Sequence, residues 1–169
     1  MCGYLSPPES NDASIYDPPK RVTAIASDSP RVVASKLEQT TFNDIAAVNS
    51  RTFGPESVLF VNKADYFEAQ TSAALSDTPV SCQGFVDALK RACALFPEFK
   101  VRALDFTTTV DLELGKAEVF ANVETTGRHE GVAQRNVSIC EYHLIGGVWM
   151  HVKHMTMTGM DPMSGMGGM

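Results

Sequence analysis

Four consecutive stretches decide the fold: FKVRALDFTTTVDLEL (99–114), KAEVFANVETTG (116–127), GVAQRNVSICEYHLI (131–145) and VWMHVKHMTMTG (148–159). The second alternates cleanly. Ala117, Val119, Ala121 and Val123 point one way, and Glu118, Phe120, Asn122 and Glu124 the other. That period of two marks a strand with one buried face. Leu114-Gly115 and Gly127 to Gly131 supply turns on either side, and Gly146-Gly147 is a two-residue hairpin signal. The four stretches therefore read as one antiparallel sheet. A tight last turn would pair Ile145 with Val148, His143 with Met150, Glu141 with Val152 and Ile139 with His154. A single bulge would move residues between faces.

The segment before the sheet reads as covering helices. Ser29-Pro30 is a helix start, a capping hydroxyl followed by proline at the first helical position. Apolar residues follow at Val33, Leu37, Phe42, Ile45, Ala46 and Val48. The spacing slips at Thr40-Thr41, which allows one bent helix or two short ones, and Phe53-Gly54-Pro55 closes the segment. VLFV (58–61) fits a short helix or strand, and ADYFEAQTS (64–72) a short extended segment. Ser81 opens the clearest helix, to Phe96, with Phe85, Val86, Leu89, Ala92, Cys93 and Phe96 on one stripe and Pro97 as its stop. Residues 1–29, with prolines at 7, 8, 18 and 19, read as a flexible arm in which Tyr4, Leu5, Ile15 and Tyr16 are docking points. Residues 160–169 read as a disordered Gly/Met tail.

The 169 residues suit one domain, large enough to fold without a metal or disulfide staple. A net charge of −6 argues against a nucleic-acid partner, which needs a basic face. Cys2, Cys82, Cys93 and Cys140 show no metal-ligand spacing and read as thiols of a reducing compartment, hence a cytoplasmic location. No apolar run reaches the length of a membrane span, and no P-loop, GxGxxG or GxSxG motif is present.

The stretches FVDALKRACALFPEFKVRALDF (85–106), GKAEVFANVETTG (115–127) and CEYHLIGGVWMHVKHMTMTG (140–159) carry a resemblance. Helix running into "FPEFKV", then strand, "GGVW" turn and final strand, resembles the nuclear transport factor 2-like α+β cone, in particular its SnoaL-like polyketide cyclase branch. The resemblance spans residues 30–159. It implies a single cone-shaped α+β domain, with helices packed on a curved antiparallel sheet of about four long strands plus a short one, around a deep apolar pocket. It implies two kinds of activity. One is a cofactor-independent isomerase, cyclase or dehydratase acting on a small apolar metabolite such as a polyketide or terpenoid. The other is a non-catalytic ligand-binding or dimerisation module, because fold does not fix function. The scytalone dehydratase type implies a proton-transferring histidine where Val123 stands, and valine cannot serve. The same type places small polar residues where Asn136 and Ser138 fall.

The candidate chemistry follows from residue type. Asp105 is a carboxylate in an apolar strand, where desolvation would raise its pKa and suit a general base. His154 can act as acid or base near neutral pH. Tyr66 can donate to a carbonyl or enolate oxygen. Ser138, Asn136, Phe85 and Leu89 are the substrate-binding candidates. No cofactor is expected. No metal is expected either, because His151 and His154 in HxxH spacing on a regular strand face opposite ways. A homodimer through the outer sheet face is expected, with Trp149, Met155 and Met157 as its apolar patch.

Overall fold

The computed structural model describes residues 21–71 and 78–158. The arm expected over residues 1–29 falls mostly outside that range, as does the tail 160–169. Residues 21–28 are pinned at the last hairpin. Trp149 N–H donates to the Val22 carbonyl at 2.9 Å and Ala24 N–H to the Gly147 carbonyl at 2.8 Å.

Helix α1 (Pro30–Asn49) runs without a break. Ser29 caps it by accepting from the Val32 N–H at 3.3 Å, and proline occupies the first turn, where its missing N–H costs nothing. The slip at Thr40-Thr41 is not an interruption. Both threonines are buried in the packed face, and their hydroxyls donate back to the Lys36 and Leu37 carbonyls at 3.0 Å. A four-residue helix, α2 (Val58–Val61), follows. Helix α3 (Cys82–Leu95) is capped by Ser81, which accepts from the Gly84 N–H at 3.2 Å.

The strands are β1 (Lys63–Thr71), β2 (Val80–Ser81), β3 (Lys100–Asp111), β4 (Lys116–Thr126), β5 (Gln134–Ile145) and β6 (Val148–Thr158). They form one sheet in the order β2-β1-β6-β5-β4-β3. The helices-on-a-sheet architecture expected from the sequence stands. The segment read as short and extended is a nine-residue strand, and it lies parallel to β6. That direction is available because β1 and β6 are joined by most of the domain rather than by a hairpin. Among the described residues, no helix is long and apolar enough to cross a membrane.

On β4 the alternation holds as read: Ala117, Val119, Ala121 and Val123 are all buried on the helix-bearing side. Ala117 and Val119 meet Val33 and Leu37 of α1 and the large side chains of Tyr142 and Trp149 in one core cluster, while Ala121 and Val123 line a cavity between the sheet and the helices. A second cluster joins Ala47 and Val48 to Leu59, Val86 and Phe99 beneath α3. The β5–β6 turn is tight, with φ of 57° at Gly146 and 79° at Gly147, the two-residue geometry that suits glycine.

Two strands depart from regular alternation. In β3, Ala103 pairs with Val123 but Asp105 pairs with Asn122, so Leu104 is an inserted residue. In β6, His151 pairs with Tyr142 but Lys153 pairs with Glu141, so Val152 is inserted. Each bulge reverses the facing of everything beyond it. The pairs Ile145–Val148 and His143–Met150 occur as expected. The expected pairs Glu141–Val152 and Ile139–His154 are replaced by Glu141–Lys153 and Cys140–His154. Trp149 is buried at 2% exposure, so it is not part of an outer patch.

Candidate functional site

Between the sheet and helices α1 and α3 lies a cavity of about 510 Å³, a size suited to a small organic molecule. The strand register sets out its floor in rows. His154 and Cys140 form the innermost, followed by Thr156 with Ser138, Thr158 with Asn136, and finally Gln134 with Thr125; His151 and Tyr142 make the buried row behind them. The sheet wall is thus polar along much of its length. The facing wall is apolar, built from Ile45 and Val48 of α1 and Phe85, Ala88, Leu89 and Ala92 of α3.

Charge is concentrated at the inner end. Leu37, Thr41, Asp44 and Val48 follow one another at spacings of four, three and four, so Asp44 lies on the packed stripe of α1. Its Oδ2 receives the Lys63 ammonium at 2.7 Å, and the Lys63 side chain is only 2% exposed. His151 Nδ1 lies 3.7 Å from the same oxygen. The His151 ring stacks on Tyr142 with centroids 4.8 Å apart, and the Tyr142 and Thr41 hydroxyls share a buried hydrogen bond of 3.0 Å. His151 Nε2–H donates to the Lys153 carbonyl at 3.0 Å, so the neutral ring keeps its lone pair on Nδ1. Among the described residues, Asp44 Oδ1 and His151 Nδ1 are buried without a hydrogen-bond partner.

His154 stands one row outward. Its ring packs against Phe85 with centroids 4.9 Å apart. Nε2 is 3.0 Å from Thr156 Oγ1, and Nδ1 is 3.5 Å from Cys140 Sγ. Burial pushes the Cys140 thiol up to about 12, so it stays protonated and can donate to Nδ1. That arrangement puts the ring proton on Nε2, toward Thr156.

Burial lowers the His154 pKa to about 3, with His151 and Lys63 adding to the effect. His151 is lowered to about 4, first by burial and then by Lys63. Burial would raise Asp44, but the Lys63 ammonium and His151 outweigh it and hold the carboxyl below its ordinary value. The inner end therefore contains an ionised Asp44–Lys63 pair and two neutral imidazoles. An imidazole kept neutral in a dry site can accept a proton through one nitrogen and donate a hydrogen bond through the other.

Of the sequence candidates, His154, Ser138, Asn136, Phe85 and Leu89 all line the cavity. Asp105 does not. The Leu104 bulge turns it to the outer face, where it is exposed and accepts from the Asn122 side-chain N–H. Tyr66 is also outside, 62% exposed, because Phe67 and Ala69 of β1 take the inward positions. The expectation that His151 and His154 face opposite ways is likewise overturned by the Val152 bulge. Both turn inward, and with Cys140 they bring three donor atoms within 4.8 Å of one another. The Lys63 ammonium beside Asp44 already sets a positive charge close to this cluster, which disfavours a second cation there.

Asp44, Lys63 and the rim arginines were not legible as site residues by motif. Asp44 had one signal, a carboxylate placed on the apolar stripe of a helix. Arg91 and Arg128 line the outer end of the cavity. Arg128 follows Gly127, whose φ is 87° and whose backbone sits so close to the Glu98 carbonyl that a Cβ would run into it. That close approach carries the Arg128 guanidinium over the Phe99 ring, 5.5 Å from its centroid.

No protein-family model matches the chain, and no curated protein matches it. Solved structures do. An NTF2-like protein of unknown function from Pseudomonas putida KT2440 aligns with a TM-score of 0.63 at 13% identity, covering 79% of this chain and 92% of that one. A hexachlorocyclohexane dehydrochlorinase, LinA-type3 from Novosphingobium barchaimii LL02, aligns with a TM-score of 0.64 at 17% identity, covering 77% and 89%. A loop-truncation variant of IdmH aligns with a TM-score of 0.53 at 18% identity, covering 72% and 91%. At these identities the shared property is the fold: the chain has the α+β cone fold of the nuclear transport factor 2-like proteins.

Proposed function

We propose that the protein is a cofactor-independent acid/base enzyme, an isomerase, cyclase or dehydratase, acting on a small and largely apolar molecule held in the cone. Polyketides and terpenoids are the classes that fit an apolar wall facing a wall of hydroxyls and amides. The observation that carries the reading is His154, an imidazole turned into the inner end of the cavity beside the Thr156 and Ser138 hydroxyls. In this reading the neutral His154 imidazole takes a proton from a C–H activated by a neighbouring carbonyl. Ser138 and Thr156, paired across β5 and β6, orient the oxygen on which charge develops. The charge of Asp44 offsets part of the cost of the imidazolium while it exists. The dehydrochlorinase among the structural neighbours supports the reading to the extent that the same fold can house an enzyme.

The test works before any substrate has been identified. A panel of apolar carbonyl compounds is incubated with the protein in heavy water, and deuterium incorporation beside the carbonyl is read by mass spectrometry. Incorporation that disappears in His154→Asn is the expected result. Compounds that bind but never exchange would overturn the enzymatic reading in favour of a binding module.

A dimer through the outer sheet face belongs to the same proposal. There Phe120, Ile139 and Met155 form one cross-strand row, with Val137 and Met157 in the next. Met157 is 48% exposed, and such a contiguous apolar surface on an otherwise charged molecule suits a second copy of itself. Sedimentation that shows a monomer at micromolar concentration would contradict it.

A further inference from the structure

The outer end of the cavity has a different charge from the rest of the molecule. The chain carries a net charge of −6, yet the ionisable groups lining the outer half of this cavity are two arginines, Arg91 and Arg128. Neither forms an ion pair among the described residues. Asp44, the one carboxylate among the described residues of the lining, lies at the opposite end and is already paired with Lys63. Glu98 and Glu130 are neighbours of the Arg128 turn but line a separate depression, and neither is within ion-pair distance of it. The Arg128 guanidinium carbon lies over the Phe99 ring, 5.5 Å from its centroid. A guanidinium held against a ring face by cation–π attraction still has N–H groups to offer, and arginine receives a carboxylate through two parallel hydrogen bonds.

The two arginines reach the same end of the cavity from different elements. Phe85, which touches His154, and Arg91 are six residues apart on α3, about 9 Å along a helix axis. Cys140, which pairs with His154, and Gln134 at the outer row are six residues apart on β5, roughly 20 Å along a strand. Between the two ends the cavity is lined by neutral side chains: amides and hydroxyls of β5 and β6, and hydrocarbon from Val101, Ala121 and Val123 of the sheet and from the helices.

We infer that the pocket takes an extended, largely apolar molecule with a carboxylate at one end, its charge held by Arg91 and Arg128 and its far end reaching the His154–Cys140 row. The separation between charge and imidazole, about 10 to 20 Å on the helix and strand rises above, excludes small acids that cannot touch both ends. The inference rests on reading the cavity as the substrate site, and it adds the substrate class to that reading. A neutral polyketide or terpenoid of the same length would fill the cavity but leave both guanidiniums unmatched.

The test uses four probes of one chain length: decanoic acid, its methyl ester, its primary amide, and decanesulfonate as a second anion. Binding to the full chain is measured by calorimetry at low salt. The acid is expected to bind roughly tenfold or more tighter than the ester and amide, and the margin is expected to shrink with added salt. The sulfonate separates a demand for a carboxylate from a demand for any anion. A sulfonate that matches the acid would overturn the assignment to carboxylates. Arg91→Gln with Arg128→Gln, both at exposed positions, should erase the margin between acid and ester, while His154→Asn should leave the margin intact. Equal binding of acid and ester, no binding by any probe, or a margin that survives the double substitution would overturn the inference. The two proposals fail separately. A carboxylate preference without deuterium exchange removes the enzyme and keeps this site, and exchange with neutral compounds alone does the reverse.

Discussion

Strands β3 and β6 each carry one inserted residue, and the two insertions have opposite consequences. In β3, Val101 and Ala103 pair with Thr125 and Val123 and face the cavity; two more steps of regular alternation would bring Asp105 in beside them. The Leu104 bulge turns it out. In β6, Trp149 and His151 face in, and two more steps would bring in Lys153 and send His154 out. The Val152 bulge brings His154 in, with Thr156 and Thr158 behind it. The pair shows that candidate chemistry on a sheet is decided by register more than by residue type. A carboxylate that composition made attractive became a solvent-side residue, and a histidine on the wrong side of a regular strand became the centre of the site.

Removing each of these two groups in turn tests the contrast most severely. His154→Asn should lower proton exchange into a bound carbonyl compound by about a hundredfold or more, and Asp105→Asn should leave it within about twofold, since an exposed outer-face side chain touches nothing in the cavity. Equal losses would mean that the two strands do not differ as described. Next in size is the buried pair. Asp44→Ala leaves the Lys63 ammonium enclosed and unpaired, which should cost about 3–5 kcal/mol in denaturant unfolding. Asp105→Ala should cost about 0.5 kcal/mol or less.

Acid should expose the same asymmetry. His151 and His154 have folded pKa values near 4 and 3, against an ordinary value of 6.5. Above pH 6.5 both states hold the rings neutral and stability is level. As the pH falls below 6.5 the unfolded chain takes up protons that the folded chain refuses, and stability is lost progressively down to the folded values. Between pH 7.5 and pH 5 each histidine should remove about 2 kcal/mol, read from chemical denaturation at the two pH values. His151→Asn should abolish roughly half of that slope. The smallest effect is expected at Tyr66→Phe, within about 0.5 kcal/mol and without change in ligand binding, because the hydroxyl lies on the exposed side of β1.

How much of this was legible in the sequence follows from the same physics. The buried face of β4 was readable because its alternation is unbroken, and the start of α1 because Ser29-Pro30 is a local signal. Both depend on nearest neighbours along the chain. The β5–β6 turn was readable for the same reason, and so were the first pairs after it. The bulges were not. An inserted residue is fixed by packing from both sides of the sheet, as at Val152, where the register shifts against β5 and the pairing with β1 is also irregular. Asp44 was hidden among the apolar residues of α1, since nothing in its own neighbourhood announces that Lys63, 19 residues later, will meet it. Arg91 lies in the second half of α3, where a cation suits the helix dipole, and Arg128 in the Gly127 to Gly131 turn; neither position signals a binding role by itself.

Whether the Val152 bulge turns His154 into the cavity can be read from the His154 ring itself, titrated by NMR with the resonance assigned from His154→Asn. If the bulge places this imidazole in the dry end of the cavity, the ring should remain neutral from pH 8 down to about pH 4 and its signals should shift when an apolar ligand is added. A midpoint near the ordinary 6.5, with no response to ligand, would put His154 on the solvent side of β6 and remove the basis of the proposed site.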